Sequence, residues 1–179
     1  MMERTNTIVI NGEAVALCEY IKDQLYFATL SSKKEPKSTL QTHFFSTDNE
    51  FVYINYYTDF GPLNLGCLYK YCMKLNKKLQ CAILRKRQII HYTSVNPKKR
   101  ANAAFLIASF AVIYLNMTPK EAYEPLLSDK LHMFRPFQDA THGPSNYNIY
   151  LIDCLDGIYR YNSIYSYYIY IWCCSNVII

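Results

Sequence analysis

Two stretches of the chain set an arginine a few residues after a residue with a nucleophilic side-chain atom, the pairing on which phosphoryl transfer to a protein side chain depends. The first is Ile89-Ile90-His91-Tyr92-Thr93-Ser94-Val95-Asn96-Pro97-Lys98-Lys99-Arg100, which runs into the apolar stretch Ala101 to Ile107. An apolar strand ending in His, then a loop, an Arg and an apolar helix, is the layout in which a thiolate and a guanidinium grip one phosphoryl group. Here Tyr92 stands at the nucleophile position, and a phenol with a pKa of about 10 is a poor substitute for a low-pKa thiolate. Seven residues separate Tyr92 from Arg100, too many for a loop wrapped on one tetrahedral anion. Such an anion is held by successive backbone N–H groups at a helix N-terminus, which the chain must approach closely. No Gly lies between His91 and Arg100, and Pro97 removes a donor. Asn96 followed by Pro97 reads more simply as the start of a helix. His91, Tyr92 and Arg100 are therefore read as a degenerate loop, and no catalytic residue is assigned.

The second stretch has the formal thiol-to-arginine spacing: five residues, Ala82-Ile83-Leu84-Arg85-Lys86, separate Cys81 from Arg87. These residues are apolar or long and basic, with no Gly or Ser among them. The β-rich run Gln88-Ile89-Ile90 follows where a helix should begin. The spacing is therefore rejected as an active site, although an enzyme working through Cys81 and Arg87 is kept as the alternative that a hydrolysis assay must exclude.

These loops need a scaffold, and the composition supports one compact domain. The chain has 179 residues, 51% of them hydrophobic, enough for a real core. Its seven cysteines are an odd number set in apolar surroundings, and no cleavable signal sequence opens the chain, so buried free thiols in an intracellular protein are expected. Four His and no paired Cys-x-x-Cys argue against a metal site, and no cofactor is expected.

Strands alternate with helices along the sequence. Strands are expected at Gln24 to Leu30, Thr42 to Ser46 and Gln88 to Tyr92, with Phe51 to Tyr57 a further aromatic and β-branched segment. A helix is expected from Leu63 to Leu79, with Pro62 at its start and Leu65, Leu68, Tyr69, Cys72 and Leu75 along one face. A second runs from Lys98 to Leu115, apolar on most sides and so central. Thr118-Pro119-Lys120-Glu121 is a capping box opening a helix to about Leu127. A last helix is expected near Asn148 to Tyr159. The fold class is α/β, a central sheet flanked by helices.

Several runs in order now carry a resemblance. Leu25-Tyr26-Phe27-Ala28-Thr29-Leu30, Asp59-Phe60-Gly61-Pro62-Leu63-Asn64-Leu65, Leu75-Asn76-Lys77-Lys78-Leu79, Lys99 to Ile107, Thr118 to Tyr123 and Leu151-Ile152-Asp153-Cys154-Leu155-Asp156-Gly157 resemble the amino-terminal domain of the cell-division-cycle fourteen dual-specificity phosphatases. The resemblance implies a degenerate phosphatase-like domain over residues 18–160, after an N-terminal extension at 1–17. In that family a second, C-terminal domain carries the catalytic loop, and the first forms one wall of the groove that selects phosphoserine-proline or phosphothreonine-proline peptides with a basic residue downstream. It implies phosphoprotein substrates, a role in mitotic exit, and a location in nucleus, cytoplasm, centrosome or spindle. By the same resemblance Asp59 and Asp139 are candidate groove carboxylates. Read from the residues alone, each is equally a capping or turn carboxylate. Gln138 stands where the family commonly has Arg.

After Arg160 the chain departs from that pattern. Residues 161–179 are rich in Tyr and apolar residues with no charge, and are expected to be non-family sequence, from a truncated transcript or a mispredicted gene. The segment is short, Tyr-heavy and β-favouring for a membrane anchor, which needs about 20 predominantly apolar residues. Basic clusters at Lys70, Lys74, Lys77, Lys78, Arg85-Lys86-Arg87 and Lys98-Lys99-Arg100, within a net charge of +5, raise a competing reading as a phosphate- or nucleic-acid-binding module. No recognition motif accompanies them, and solvated helix faces ordinarily carry Lys. A further alternative is an inactive or weakly active fragment that competes for protein partners.

Overall fold

The computed structural model describes residues 6–32, 34–128, 133–143 and 145–174. Its centre is a five-stranded mixed sheet in the order β1-β2-β3-β5-β4, built from β1 (Asn6–Ile10), β2 (Glu13–Ile21), β3 (Leu25–Leu30), β4 (Thr42–Phe45) and β5 (Gln88–Ser94). The first three strands run antiparallel. β5 lies parallel to both β3 and β4, and the long connection that parallel pairing requires is supplied by α1 (Leu65–Gln80).

Helix α2 (Pro97–Tyr114) follows β5 after only two residues, and its residues Arg100 to Val112 are buried without interruption. A helix buried on all sides belongs in the middle of a domain. Asn96 caps it, accepting from the Lys98 and Lys99 amides at 3.1 and 3.2 Å, and Pro97 sits in its first turn, where a missing N–H costs no bond. Around α2 pack α1, α3 (Pro119–Tyr123) and α4 (Leu151–Cys174). The main core joins these helices to Cys18, Leu25, Phe27, Phe45 and Ile89 on one face of the sheet. The other face closes over a smaller cluster of Ile10, Val15, Leu17, Tyr26, Ala28, Leu30 and Ile90. The mixed α/β architecture expected from the sequence is therefore present.

Several elements differ from expectation. Residues 6–17, expected as an extension, form β1 and most of β2. Their turn is Asn11-Gly12, with φ of 53° and 86°, the left-handed pair that a two-residue hairpin turn requires. Phe51 to Tyr57 forms no strand. Instead it is a loop gathered around Asp59, and one residue of its base, Phe60, bridges to Gln138. Helix α1 starts at Leu65 with Asn64 as N-cap, because the Asn64 side-chain oxygen Oδ1 accepts from the Cys67 amide at 2.9 Å. Its buried face carries Leu68, Tyr71, Cys72 and Leu75, while Leu65 and Tyr69 are exposed. The capping box at Thr118 and Glu121 is formed, but after Tyr123 the helix tightens into a 3-10 turn, Glu124–Ser128. The short strands β6 (Phe137–Gln138) and β7 (Asn148–Ile149) precede α4, which continues to Cys174 through the segment that reads as β-favouring. Among the described residues no helix is long and apolar enough to cross a membrane. The tail residues 175–179 lie outside the described residues.

Candidate functional site

Alternation along β5 decides what each residue of the degenerate loop can do. Successive side chains of a strand point to opposite faces, so His91 and Tyr92 are separated by the sheet. His91 joins the helical core. It is fully buried and stacks on Phe45 with ring centroids 4.9 Å apart. Its Nε2 meets the Thr47 hydroxyl and its Nδ1 the Tyr71 hydroxyl, each at 3.0 Å, so one ring nitrogen donates and the other accepts. Burial, with Lys74 adding a smaller repulsion, pushes its pKa down to about 3. This is a neutral hub tying β5 to α1 and to the turn after β4.

Tyr92 packs against the second cluster. Burial raises its pKa, and the carboxylates of Glu35 and Asp48 raise it further, which makes its phenolate still less accessible as a nucleophile. Arg100, 4% exposed, does not turn toward it. Its Nη1 donates to the Met133 carbonyl at 2.7 Å, its Nε to the Thr29 hydroxyl at 3.3 Å, and the guanidinium lies 4.0 Å from the centre of the Phe134 ring. His91, Tyr92 and Arg100 thus occupy three different environments and share no point at which an anion could sit.

The mouth of the loop is a polar cavity of about 590 Å³ at the carboxyl ends of β3, β4 and β5, lined by Lys34, Glu35, Asp48, Tyr92, Ser94 and Lys99 among others. Ligand crevices of open parallel sheets occur at this end. Asp48, which the sequence reading missed, takes the donors there: its Oδ1 accepts from the Thr93 hydroxyl at 2.8 Å and its Oδ2 from the Ser94 amide at 2.9 Å. The available signal was the polar run Ser46-Thr47-Asp48-Asn49 after a strand, which forms a turn with Glu50 and Phe51 amides bonded to the Thr47 carbonyl.

Cys81 and Arg87 lie at the opposite end of β5. Cys81 is the C-cap of α1, and turns lead directly from it into β5. Its thiol pKa is lowered by the Leu84 and Ile83 amides, then by Arg87 and Lys78. Arg87 donates through Nη1 to the Thr39 carbonyl at 3.2 Å. The element that follows is the strand β5, not the helix whose N-terminus would hold a phosphoryl group.

Asp59 and Asp139 lie on two segments joined by one bridge. The antiparallel bridge Phe60↔Gln138 has both amide-to-carbonyl bonds, at 3.0 and 2.7 Å, a register that puts residue 59 opposite residue 139. Asp59 is buried and organises its own loop: Oδ1 accepts from the Tyr56 and Tyr57 amides, Oδ2 from the Tyr53 hydroxyl. The Tyr53 hydroxyl and the Tyr57 amide lead in lowering its pKa. Asp139 is exposed and accepts from the Ser145 hydroxyl. Nearby, the Tyr57 and His142 rings lie 5.3 Å apart. Among the described residues no group of His, Cys, Asp and Glu is arranged to hold a metal.

A strand–turn–helix junction with the layout of a phosphatase loop but no thiolate, on a mixed sheet with its helices on one face, defines the chain as a phosphatase-like domain. A family profile described as dual specificity protein phosphatase, N-terminal half, matches residues 19–161, and the chain belongs to this family. It is 55% identical over 148 residues to human dual specificity protein phosphatase CDC14A, covering 83% of this chain and 25% of the relative. It is 56% identical to dual specificity protein phosphatase CDC14AB of Danio rerio, covering 83% and 24%. The tyrosine-protein phosphatase CDC14 homolog of Schizosaccharomyces pombe is 33% identical, covering 80% and 27%. The chain thus spans about a quarter of the length of these relatives.

Proposed function

We propose that the chain serves as the non-catalytic N-terminal domain of a dual-specificity protein phosphatase, packing beside a catalytic domain and forming one wall of the groove for phosphorylated protein substrates. The observation that carries this reading is the β5–α2 junction, where Tyr92 replaces a thiolate, Arg100 is engaged elsewhere, and the amide and hydroxyl donors are held by Asp48 and Asn96. Phosphoryl transfer needs a nucleophile and preorganised donors free to meet one phosphoryl group; here the thiolate is missing and the donors are already taken by side chains of the domain. The family supports a part in protein dephosphorylation during the cell cycle, and with it a location in nucleus, cytoplasm, centrosome or spindle.

The surface offers two features that suit this role. An apolar groove of about 800 Å³ runs between α1, the end of α2 and α4, lined by Leu65, Leu68, Tyr69, Ile113, Ile158 and Tyr161 among others. Apolar patches of this kind mark packing surfaces, and a catalytic domain is the partner the family provides. At the Phe60–Gln138 bridge, Asp139 offers an exposed carboxylate to a basic residue of the substrate while Asp59 holds the facing loop in shape.

The test is hydrolysis of para-nitrophenyl phosphate by the purified chain beside Cys81→Ser and Arg87→Ala variants, with a vanadate control. The expected result is no turnover above background in any of them. Turnover abolished by either substitution would make Cys81 the nucleophile, a second reading that its lowered thiol pKa alone favours. For the groove, amide chemical shifts around residues 57–60 and 138–142 should move on adding a phosphothreonine-proline peptide with a downstream lysine, and Asp139→Asn should weaken that response several-fold. An unchanged response in the variant would remove Asp139 from the groove.

A further inference from the structure

We propose that the position which holds the anion in a working loop is filled in this domain by its own Asp48 carboxylate, so that the domain is closed to phosphate from within and opens to a tetrahedral oxyanion when that carboxylate is removed. The inference rests on reading the β5–α2 junction as a degenerate phosphatase loop. A phosphate bound between a parallel strand and the helix that follows is held by backbone amides, hydroxyls and a cation at the strand's carboxyl end. Each kind of donor is present. The Ser94 amide and the Thr93 hydroxyl converge on a single carboxylate, one on each oxygen, at 2.9 and 2.8 Å. Thr93 is fully buried, so its hydroxyl donates to Asp48 inside the protein. The Ser94 hydroxyl oxygen lies in the same place, buried and with no hydrogen-bond partner. Lys99, in the first turn of α2, lines the same cavity and donates from Nζ to the Asn49 side-chain oxygen at 2.9 Å, next along the chain from Asp48.

A carboxylate with two donors on its two oxygens is the arrangement an oxyanion would otherwise take. Asp48 is delivered there by the turn after β4, whose amide bonds anchor it: the Asp48 amide donates to the Ser46 hydroxyl at 3.2 Å and the Phe51 amide to the Thr47 carbonyl at 2.9 Å. Because the carboxylate belongs to the chain, its effective concentration at the donors far exceeds that of any free phosphate. Glu35 and Glu50 also line the cavity, Glu50 paired with Lys74, so an incoming anion meets negative charge as well as occupied donors.

The test is the response of the whole chain to inorganic phosphate and to tungstate, read as the shift in Tm and in the Ser94 amide resonance. Asp48→Ala should be stabilised by both anions, with the Ser94 amide moving as they are added, whereas the parent chain should respond to neither. Asp48→Ser is read in the same way if the alanine variant loses its far-UV circular dichroism. Asp48→Asn keeps one acceptor oxygen and puts an amide NH2 where the other stood, so it fills the position without the charge and should respond less than Asp48→Ala; a response as large as that of Asp48→Ala would overturn occupancy in favour of charge repulsion alone. Adding Lys99→Ala to Asp48→Ala should abolish the response, and its persistence would put the anion elsewhere and overturn the proposal. It is equally overturned if the parent chain binds the anions as well as the variants, or if the folded alanine and serine variants bind neither. Hydrolytic activity of the parent chain, measured separately, bears on the non-catalytic reading and not on this one.

Discussion

A buried histidine that cannot take a proton makes folding sensitive to acid, and His91 is such a residue. Its pKa falls from 6.5 to about 3 in the folded chain, so between those values the unfolded state binds the proton and the folded state does not. Stability from this source is complete above pH 6.5 and declines as pH falls toward 3, by up to about 1.4 kcal/mol per pH unit. The lowered pKa of His43, caused by burial and then by Lys78 and Arg87, acts in the same direction. Carboxylates such as Asp59, with its lowered pKa, contribute only at lower pH, so the window from about 6.5 to 5 isolates the imidazoles. Chemical denaturation across that window should show a clear loss of stability in the parent chain and a shallower one in His91→Gln, with His43→Gln as the control. His91→Phe should cost about 1–3 kcal/mol at neutral pH for each hydroxyl left without its partner, Thr47 and Tyr71. Little of this was legible beforehand. The sequence shows a His at the end of an apolar strand, but the partners that define its role lie 44 and 20 residues away. For Tyr92 the absence of a thiol could be read directly, because which residue follows His91 is a fact of the sequence itself.

Between elements, the short join of β5 to α2 fixes the whole domain, and its two kinds of stabilisation should separate experimentally. Asn96→Ala removes a cap that serves two amides, at a cost of about 1 kcal/mol. Leu106→Ala, in the middle of the same helix and 1% exposed, should cost about 2–5 kcal/mol through lost burial and the cavity left behind. Urea midpoints at constant m value would check both, and equal losses would show that α2 is held by its end rather than its flank. This helix was readable from sequence because a long, mostly apolar run opened by Asn96-Pro97 has few alternatives. The β1–β2 hairpin was equally signalled, by Asn11-Gly12 between alternating residues, and was passed over because the resemblance starts only near Cys18. The segment from Phe51 to Tyr57 is the opposite case. Its aromatic and β-branched residues suit a strand, yet the Asp59 carboxylate draws its amides into a turn, and a single side chain outweighs propensity.

For the molecule as a whole, the apolar groove against α4 sets behaviour in solution. Leu65 is 64% exposed and Tyr69 38% exposed, and exposed apolar surface of this kind promotes association. Tyr69→Lys with Leu65→Lys should therefore reduce concentration-dependent association in sedimentation velocity while changing Tm little, since neither belongs to the main core cluster. A soluble monomer in the parent chain would instead show that the groove is satisfied within the domain. The strand order carries one more consequence, for synthesis. β5 is last of the five strands to be made, yet it lies between β3 and β4. Until residue 94 has left the ribosome, β3 and β4 each present an edge with no neighbour, and an unpaired edge is a template for pairing with other chains. Only the hairpin of β1 with β2, and its pairing with β3, can form in order of emergence. The nascent domain is thus obliged to wait, half-built, for one strand, which makes the span from β3 to β5 the stretch in which a translational pause would be most costly.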